Sequence, residues 1–148
     1  LLAACQTPSM GGVFGKKSQA GGVSRVYPVD QKQAWDIAAR AFRWEGAGKI
    51  EEHREDGFQL TTIVKGASTS YAGAWIEPAQ GGSKVTCVVD GDALLEQRFH
   101  DRFAQALSLL KQGGPLPDVA PPLPEGLSRC ASDTDCDVGT CVEGRCRR

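Results

Sequence analysis

The stretch VYPVDQKQAWDIAARAFRWEG, residues 26–46, runs from the end of a strand into a helix and sets the layout of a folded domain. Asp30 can cap the helix N-terminus, and Gln33 follows three positions later, as in a capping box. Gly46 and Gly48 supply the stop signal. Between cap and stop, apolar residues recur at helical spacing and predict one buried side: Ala34, Trp35, Ala38, Ala41 and Phe42.

The pattern changes to alternation directly after this helix. In GFQLTTIVKG, residues 57–66, every second side chain belongs to one face, which is the period of a strand. An Asp-Gly pair at its start is a hairpin signal, so residues 49–55 are predicted to form the preceding strand. Two further strands are predicted in TSYAGAWIEP, residues 69–78, and in KVTCVVD, residues 84–90.

A second helix completes the domain. Asp90 and Asp92 lie at its predicted start, where the helix dipole favours acidic side chains. A Gly-Gly-Pro sequence at residues 113–115 ends it. Its apolar stripe has helical spacing: Leu95, Phe99, Phe103, Ala106, Leu107 and Leu110.

The order strand, helix, four strands, helix predicts the fold class. Short hairpins make the sheet mainly antiparallel, with about five strands, and both helices then pack on one of its faces. We therefore expect an α+β domain over residues 24–112, in which the burial of Trp44 stays open. The expected core consists of Trp35, Phe42, Phe58, Leu60, Trp75, Val85, Cys87, Phe99, Phe103 and Leu107.

Glycine-rich and proline-rich segments flank this domain. Residues 6–22 show neither a period of 2 nor one of 3.6, so residues 5–23 are predicted to be a flexible leader. Residues 113–124 hold five of the eight prolines. Such a composition favours polyproline II, so residues 113–128 are predicted to be a stiff linker. Residues 129–148 then form a cysteine-rich module.

Charge and hydropathy limit the classes of partner. The 17 basic and 18 acidic residues give a formal net charge of -1. A nucleic-acid binder normally has a basic excess or a basic stripe, so we expect no nucleic-acid partner. No apolar run approaches the roughly 20 residues of a membrane-spanning helix. Attachment to a membrane would therefore need another device.

Four of the six cysteines lie in CASDTDCDVGTCVEGRC, residues 130–146, which has almost no apolar side chains. Its structure must come from cross-links, and dense cysteines in a small unit are typical of an oxidising compartment. We expect two disulfides among Cys130, Cys136, Cys141 and Cys146. Four cysteines allow three pairings, and their spacing does not choose among them. Of the three we prefer Cys130–Cys141 with Cys136–Cys146.

Metal binding is the competing interpretation of this tail. The C-x5-C-x4-C-x4-C spacing lacks the C-x2-C pair and the nearby His of common zinc sites. Asp133, Asp135 and Asp137 suggest a calcium loop, but its sixth-position glycine falls seventh, at Gly139, and Gly144 replaces the bidentate Glu. We expect solvated, turn-forming acids instead, with no metal and no cofactor.

The tail also resembles the D-x-D-C-x2-G-x-C-x2-G-x-C repeats of secreted bacterial proteins. That resemblance implies an interaction module outside the cytoplasm and no catalytic role. The matching residues are Asp133, Asp135, Cys136, Gly139, Cys141, Gly144 and Cys146.

Cys87 and His53 are the remaining candidates for chemistry. Cys87 lies in the middle of a strand on the core side, where a cysteine behaves as a small hydrophobe. His53 lies in EEHRED, residues 51–56, and alternation puts Glu51, His53 and Glu55 on one face. We favour a solvated strand face over a metal or acid–base site, because charged runs usually face water. No enzymatic activity is expected.

The first five residues, LLAAC, resemble a bacterial lipobox, with Leu2, two small residues and then Cys5. This resemblance implies that Cys5 carries diacylglycerol and a further acyl chain, and that residues 1–4 are a signal-peptide remnant. Several acyl chains on one cysteine anchor a protein firmly in a bilayer. By analogy with enteric sorting, Gln6 after the cysteine favours the outer membrane.

The central domain resembles small envelope lipoproteins of unknown function. The resemblance covers residues 24–111 and rests on VYPVDQKQAWDIAARAF and on VTCVVDGD. It implies a non-catalytic interaction or scaffold module at the cell envelope, facing the periplasm or the cell surface, with another envelope protein as partner. The alternative is a small-molecule or glycan binder that uses Tyr71, Trp44 or Trp75.

Overall fold

The computed structural model describes residues 7–53, 57–66, 68–123, 129–136 and 139–147. In those ranges the chain forms three α-helices, a five-stranded sheet and a small two-stranded ribbon. The elements are α1 (Met10–Ser18), β1 (Val23–Tyr27), α2 (Gln31–Trp44), β2 (Ala47–His53), β3 (Phe58–Lys65), β4 (Thr69–Ala79), β5 (Gly82–Asp90), α3 (Leu95–Lys111), a 3-10 turn (Asp133–Asp135), β6 (Thr140–Val142) and β7 (Arg145–Arg147).

The five-stranded sheet is antiparallel throughout, in the order β1-β5-β4-β3-β2. Consecutive strands pair as hairpins, and β1 joins the far edge beside β5. This arrangement confirms the predicted α+β class. The end of α2 is less simple than predicted: Gly46 takes the left-handed conformation with φ +94°, whereas Gly48 lies inside β2.

Helices α2 and α3 pack together on one face of the sheet, which we call the buried face. Asp30 Oδ1 accepts a hydrogen bond of 2.7 Å from the Gln33 backbone N–H and caps α2, as predicted. The rings of Phe42 and Phe99 lie 4.5 Å apart between the two helices. Of the ten predicted core residues, eight are buried: Trp35, Phe42, Leu60, Val85, Cys87, Phe99, Phe103 and Leu107.

The two exceptions among the predicted core residues are Phe58 and Trp75, which are half-buried. Phe58 meets the edge of Trp35 at 5.5 Å between ring centroids, at the border of the core. Trp75 belongs to the opposite face of the sheet, because Ala74 and Ile76 occupy the core-facing positions of β4. Trp44 is buried, and its indole N–H donates to the Pro117 carbonyl at 3.0 Å.

The predicted flexible leader is wrong for residues 10–18, which form α1 against the sheet. The Ser9 side chain caps this helix by accepting from the Gly12 backbone N–H at 3.0 Å. Only Val13 is buried in the helix, so α1 has no hydrophobic period that its sequence could reveal. Tertiary contacts, rather than periodicity, determine this element.

Residues 113–123 of the predicted linker lie along α2 and α3. The carbonyl of Pro121 accepts from Arg102 at 2.7 Å and from Gln105 at 3.1 Å, and Arg40 pairs with Asp118 at 3.1 Å. A proline carbonyl without a secondary-structure partner remains available to such donors. Residues 124–128 lie outside the described part of the chain.

The cysteine-rich tail contains both expected disulfides. Cys130 bonds to Cys141 and Cys136 bonds to Cys146, with Cα–Cα distances of 5.8 and 5.5 Å. Strands β6 and β7 pair antiparallel, with Cys141 opposite Cys146. The tail is therefore organised by cross-links around a short hairpin, as its composition requires.

Candidate functional site

The sheet face opposite α2 and α3, which we call the α1 face, carries the alternate side chains that the core does not use. Helix α1 lies over β4 and β5 on this face and leaves β3 and β2 uncovered. The α1 face is formed by Gln59, Thr61, Ile63, Tyr71, Gly73, Trp75, Thr86 and Val88, with Val26 at the β1 edge.

The absence of a side chain at Gly73 lets α1 approach the sheet. A Cβ at this position would lie 2.8 Å from the Trp75 ring and 3.3 Å from Val13. Val13 fills that space and is fully buried. Phe14 then meets Trp75 edge to face at 6.1 Å, and the Lys17 ammonium lies 5.5 Å from the same ring. The half-buried indole of Trp75 is thus the main apolar support of α1.

Asp90 fixes the start of α1. Its Oδ2 accepts from the Ser9 backbone N–H at 3.0 Å, and the Lys16 ammonium lies 3.6 Å from its Oδ1. Lys16 also donates to the Val89 carbonyl at 2.9 Å. Asp90, which the sequence placed at the start of the second helix, therefore ends β5. Asp92 lies in the turn before that helix, where its Oδ1 accepts from the Leu94 N–H at 2.9 Å.

A cleft of about 540 Å³ opens beside α1, over the uncovered part of the sheet. The register of β2 against β3 shifts between Ala47 and Ile50, at the border of this cleft. The volume lies within the range of small-molecule sites, and a mixed apolar and polar lining suits an amphipathic ligand. Lining residues are Met10, Gly46, Gly48, Lys49, Glu51, Thr61, Thr62, Ile63, Lys65 and Tyr71.

His53 lies on the same face as Glu51, as the alternation predicts. Its Nε2 is 3.2 Å from the Thr61 hydroxyl and 4.0 Å from Glu51 Oε2, and its side chain is partly exposed. In the described residues, Glu51 is the one carboxylate within ion-pair distance of this imidazole. Glu55, the third member of the predicted group, lies outside the described residues. A partly solvated strand face fits this geometry.

Cys87 is free and fully buried in the core beneath both helices. Burial raises the pKa of its thiol well above the usual range, and the nearby Glu96 adds to the effect. A thiol in this environment stays protonated and is a poor nucleophile. The predicted position of Cys87 on the core side of its strand is confirmed by its burial.

His100 and Tyr27 form a buried pair that the sequence analysis missed. The Nε2 of His100 lies 2.7 Å from the Val23 carbonyl, so this nitrogen carries the hydrogen. Nδ1 then accepts from the Tyr27 hydroxyl at 2.7 Å. Desolvation lowers the pKa of His100 to about 4 and raises that of Tyr27 above its usual range. His100 lies next to Phe99 in the apolar stripe of α3, and this position in the sequence could have predicted that its imidazole is buried.

Asp101 connects the domain to the cysteine-rich tail. Its carboxylate is buried and lies 3.1 Å from Arg129 and 3.8 Å from Arg25. Burial raises the pKa of Asp101, while the two guanidinium groups oppose that shift. The backbone of Arg129 also forms an isolated antiparallel β-bridge with Arg145 of β7. A single buried carboxylate thereby joins α3, β1 and the tail.

The tail acids act as hydrogen-bond acceptors for turns. Asp133 Oδ1 accepts from the Cys141 N–H at 2.7 Å. Asp135 Oδ2 accepts from the Ala131 and Ser132 N–H groups, which lowers its pKa. Three tail sulfurs lie within 4.8 Å of one another, but all belong to disulfides and offer no thiolate. The three sulfur atoms belong to Cys130, Cys136 and Cys146.

Cys5, the predicted lipidation site, lies outside the described residues, two positions before Thr7. Among the helices of the described ranges, none combines the length and apolar character that a bilayer crossing demands. Comparisons with protein-family models, with curated proteins and with solved structures find no match to this chain.

Proposed function

We propose that this chain is a non-catalytic lipoprotein of the bacterial cell envelope, anchored through acyl chains on Cys5, that binds another envelope protein. The observation that carries the proposal is the tail, in which two disulfides stabilise a unit with almost no apolar residues. Such units are typical of oxidising compartments outside the cytoplasm. The LLAAC sequence supplies the attachment.

The position of α1 sharpens this proposal. Met10 follows Cys5 by five residues, which span at most about 18 Å when extended. An anchor on Cys5 would therefore hold the folded domain close to the bilayer surface. Residues 10–18 of the predicted leader form α1, so only the residues before Met10 separate Cys5 from the first helix.

Two of the side chains that could act as a nucleophile or a base have structural uses, which supports a non-catalytic role. Cys87 is a buried thiol within the core. His100 is fully buried and bonded at both ring nitrogens. A general base or a nucleophile needs access to its substrate, and neither group has it.

Exposed apolar side chains on the linker and the tail are the candidate contacts for a protein partner. Val119 is 81% exposed and Val142 is 46% exposed. Single exposed valines are common on protein surfaces, so these two side chains serve as the positions at which the partner surface is tested. We expect the partner to contact the tail, the linker or both.

Mass spectrometry of native protein from envelope membranes tests the anchor. The wild-type chain is expected to carry the mass of a diacylglyceryl group and an acyl chain on Cys5 and to partition with membranes. A Cys5→Ala variant should leave the membrane fraction, whereas Cys87→Ala should remain there as the control. Unmodified Cys5 in the native protein would contradict the anchor.

Site-specific photo-crosslinking in cells tests the partner surface. A crosslinker at Val142 or at Val119 should capture one discrete envelope protein, while the same group at Lys32, exposed on α2, should not. Equal capture from all three positions, or none from the tail and linker, would contradict the proposed surface.

A small-molecule or glycan binder is the second candidate, and the cleft beside α1 favours it. Of the three aromatic side chains considered for this role, Tyr71 lines the cleft, whereas Trp44 is buried and Trp75 supports α1. Titration of envelope glycans and small amphiphiles, followed by NMR, should shift β3 and β4 amides. Tyr71→Ala should abolish those shifts and Trp44→Phe should preserve them. Retained shifts in Tyr71→Ala would exclude this site.

A further inference from the structure

Three of the six large apolar side chains that are exposed in the described residues lie on the α1 face or at its edge. Phe14, Val26 and Ile63 are 45%, 53% and 39% exposed, and all three belong to α1 or to this side of the sheet. Tyr71 and Trp75 add two half-buried aromatic rings between them. Large apolar groups gathered on one face generally indicate a contact surface.

Among the described residues, lysines outnumber carboxylates on this face, although the chain as a whole has a net charge of -1. Asp90 is already paired with Lys16, and Glu51 lies 4.0 Å from Lys49. In the part of the chain that the structure describes, neither Lys65 nor Lys84 has an ion-pair partner. The lysines are Lys16, Lys17, Lys49, Lys65 and Lys84, and the carboxylates are Glu51, Glu77 and Asp90.

The described part of the chain begins beside the α1 face, two residues after Cys5. Thr7 is the first described residue, and Ser9 is already bound to Asp90. Only a few residues therefore separate an acylated Cys5 from the α1 face. An anchor at that position would bring this face, rather than the buried helices, next to the lipid headgroups.

We propose that the α1 face docks on an anionic phospholipid bilayer, an inference that rests on the lipid anchor under Proposed function. Phe14 and Ile63 enter the boundary between headgroups and acyl chains, with Tyr71 and Trp75 at headgroup depth. Lys65 and Lys84 contact lipid phosphates. The tail and linker then remain accessible to a protein partner.

Vesicles with a chemically attached anchor test the docking apart from lipidation in the cell. Full-length protein is coupled through Cys5 to a maleimide lipid, because Cys87 is buried and the other four cysteines form disulfides. The vesicles contain either phosphatidylglycerol with phosphatidylcholine or phosphatidylcholine alone. Lipids brominated near the headgroup quench tryptophan emission at the interface.

Quenching of Trp75 is the readout, because Trp35 and Trp44 are buried near the helices and supply a constant background. In a Trp75→Phe variant the quenching should disappear, which assigns the signal to Trp75. We expect strong quenching on phosphatidylglycerol vesicles and little on phosphatidylcholine. Lys65→Gln and Lys84→Gln should each lower the docking equilibrium about five-fold, from the usual contribution of one lysine near an anionic surface.

The same substitutions on α3 show whether a change in docking depends on the α1 face or only on the overall hydrophobicity and charge of the protein. Ile63→Ser should reduce quenching, while Leu110→Ser, on α3 with 40% exposure, should leave it unchanged. Lys111→Gln on α3 is the control for the lysine variants. Urea unfolding of each variant, with a transition close to wild type, confirms that the fold is retained.

The outcomes distinguish the two proposals. Native protein without lipid on Cys5 would refute the anchor, while the coupled protein still reports whether the face docks. Equal quenching on both vesicle types, or equal loss in the Leu110 and Ile63 variants, would overturn the docking. So would a dimer of the uncoupled protein in sedimentation that Ile63→Ser dissociates, because the face would then bind a second copy.

Discussion

The two faces of the central sheet are built in different ways. On the buried face, α2 and α3 have 14 and 17 residues and meet through aromatic pairs such as Phe42–Phe99. On the opposite face, α1 has nine residues, of which three are glycines, and a single buried side chain, Val13. The buried face supplies the stability of the domain, and the α1 face leaves side chains free for contacts.

Ion pairs show the same contrast. The Glu45 side chain at the end of α2 is buried and binds Arg98 at 2.7 Å and Arg102 at 3.1 Å on α3. The corresponding pair of α1, Lys16 with Asp90, is 3.6 Å long and half-exposed at the lysine. Exposed pairs contribute little to stability, so α1 depends on its cap and on Trp75. Changes to α1 should therefore alter one surface without unfolding the domain.

Truncation of one phenylalanine on each face should give the largest difference between the faces in the free energy of unfolding. Phe99 is fully buried among Phe42, His100 and Phe103. Phe99→Ala should lower the free energy of unfolding by about 3–5 kcal/mol, because it removes an aromatic ring and leaves a cavity. Urea unfolding followed by far-UV circular dichroism measures this change.

Phe14→Ala is the control on the α1 face. The ring is 45% exposed and makes one edge contact with Trp75, so a loss of about 1 kcal/mol or less is expected. Similar losses in the two variants would mean that α1 is as integral to the core as α2 and α3, and the contrast between the faces would be wrong.

The acid sensitivity of the domain should come from the buried face. His100 titrates with a pKa of about 4 when folded, against an ordinary value near 6.5. Because the unfolded chain takes up this proton first, stability falls as the pH drops below 6.5, and the loss levels off below the folded pKa. The expected contribution is about 3 kcal/mol by pH 4.

Two histidine variants isolate this contribution. His100→Gln should reduce the difference between the free energies of unfolding at pH 7 and at pH 4 by about that amount, even though its stability at pH 7 is lower. His53→Gln, on the partly exposed strand face, is the control for the loss of a histidine at another position. An unchanged pH dependence in His100→Gln would show that other groups control the acid transition.

The elements of the buried face could be predicted because their own residues encode them. The Asp30 cap and the apolar stripes predicted α2 and α3, and alternation predicted β3 to β5. Helix α1 was missed since glycine lowers helix propensity, and its stability comes from distant contacts with Asp90 and Trp75. Hydrophobic periodicity cannot predict a helix in which a single side chain is buried.

The candidate site was predictable in part. Alternation placed Glu51 and His53 together, and Tyr71 was recognised as an available aromatic. The cleft itself was not foreseen, because it depends on α1 and on the shifted register of β2. Trp75 was assigned to the core for a related reason. A large aromatic side chain in a strand indicates burial, but it does not indicate which face of the sheet the side chain occupies.

Two glycines of α1 provide the finest test of how this helix is held. At Gly15 a Cβ would meet nothing within 4 Å, so Gly15→Ala should only raise helix propensity, by about 0.5–1 kcal/mol. At Gly12 the Cβ would collide with the Asp90 carboxylate. Gly12→Ala should therefore displace Asp90 from Ser9 and weaken the helix despite the same gain in propensity.

Hydrogen exchange of the α1 amides measures both variants of this pair. Protection should rise about two- to five-fold in Gly15→Ala and fall in Gly12→Ala, while amides of α2 and α3 should stay unchanged in both. Parallel gains in the two variants would mean that Asp90 adapts at no cost and does not anchor the helix. Parallel changes in α2 would instead mean that α1 opens only together with the buried face, because the two layers would then form one cooperative unit.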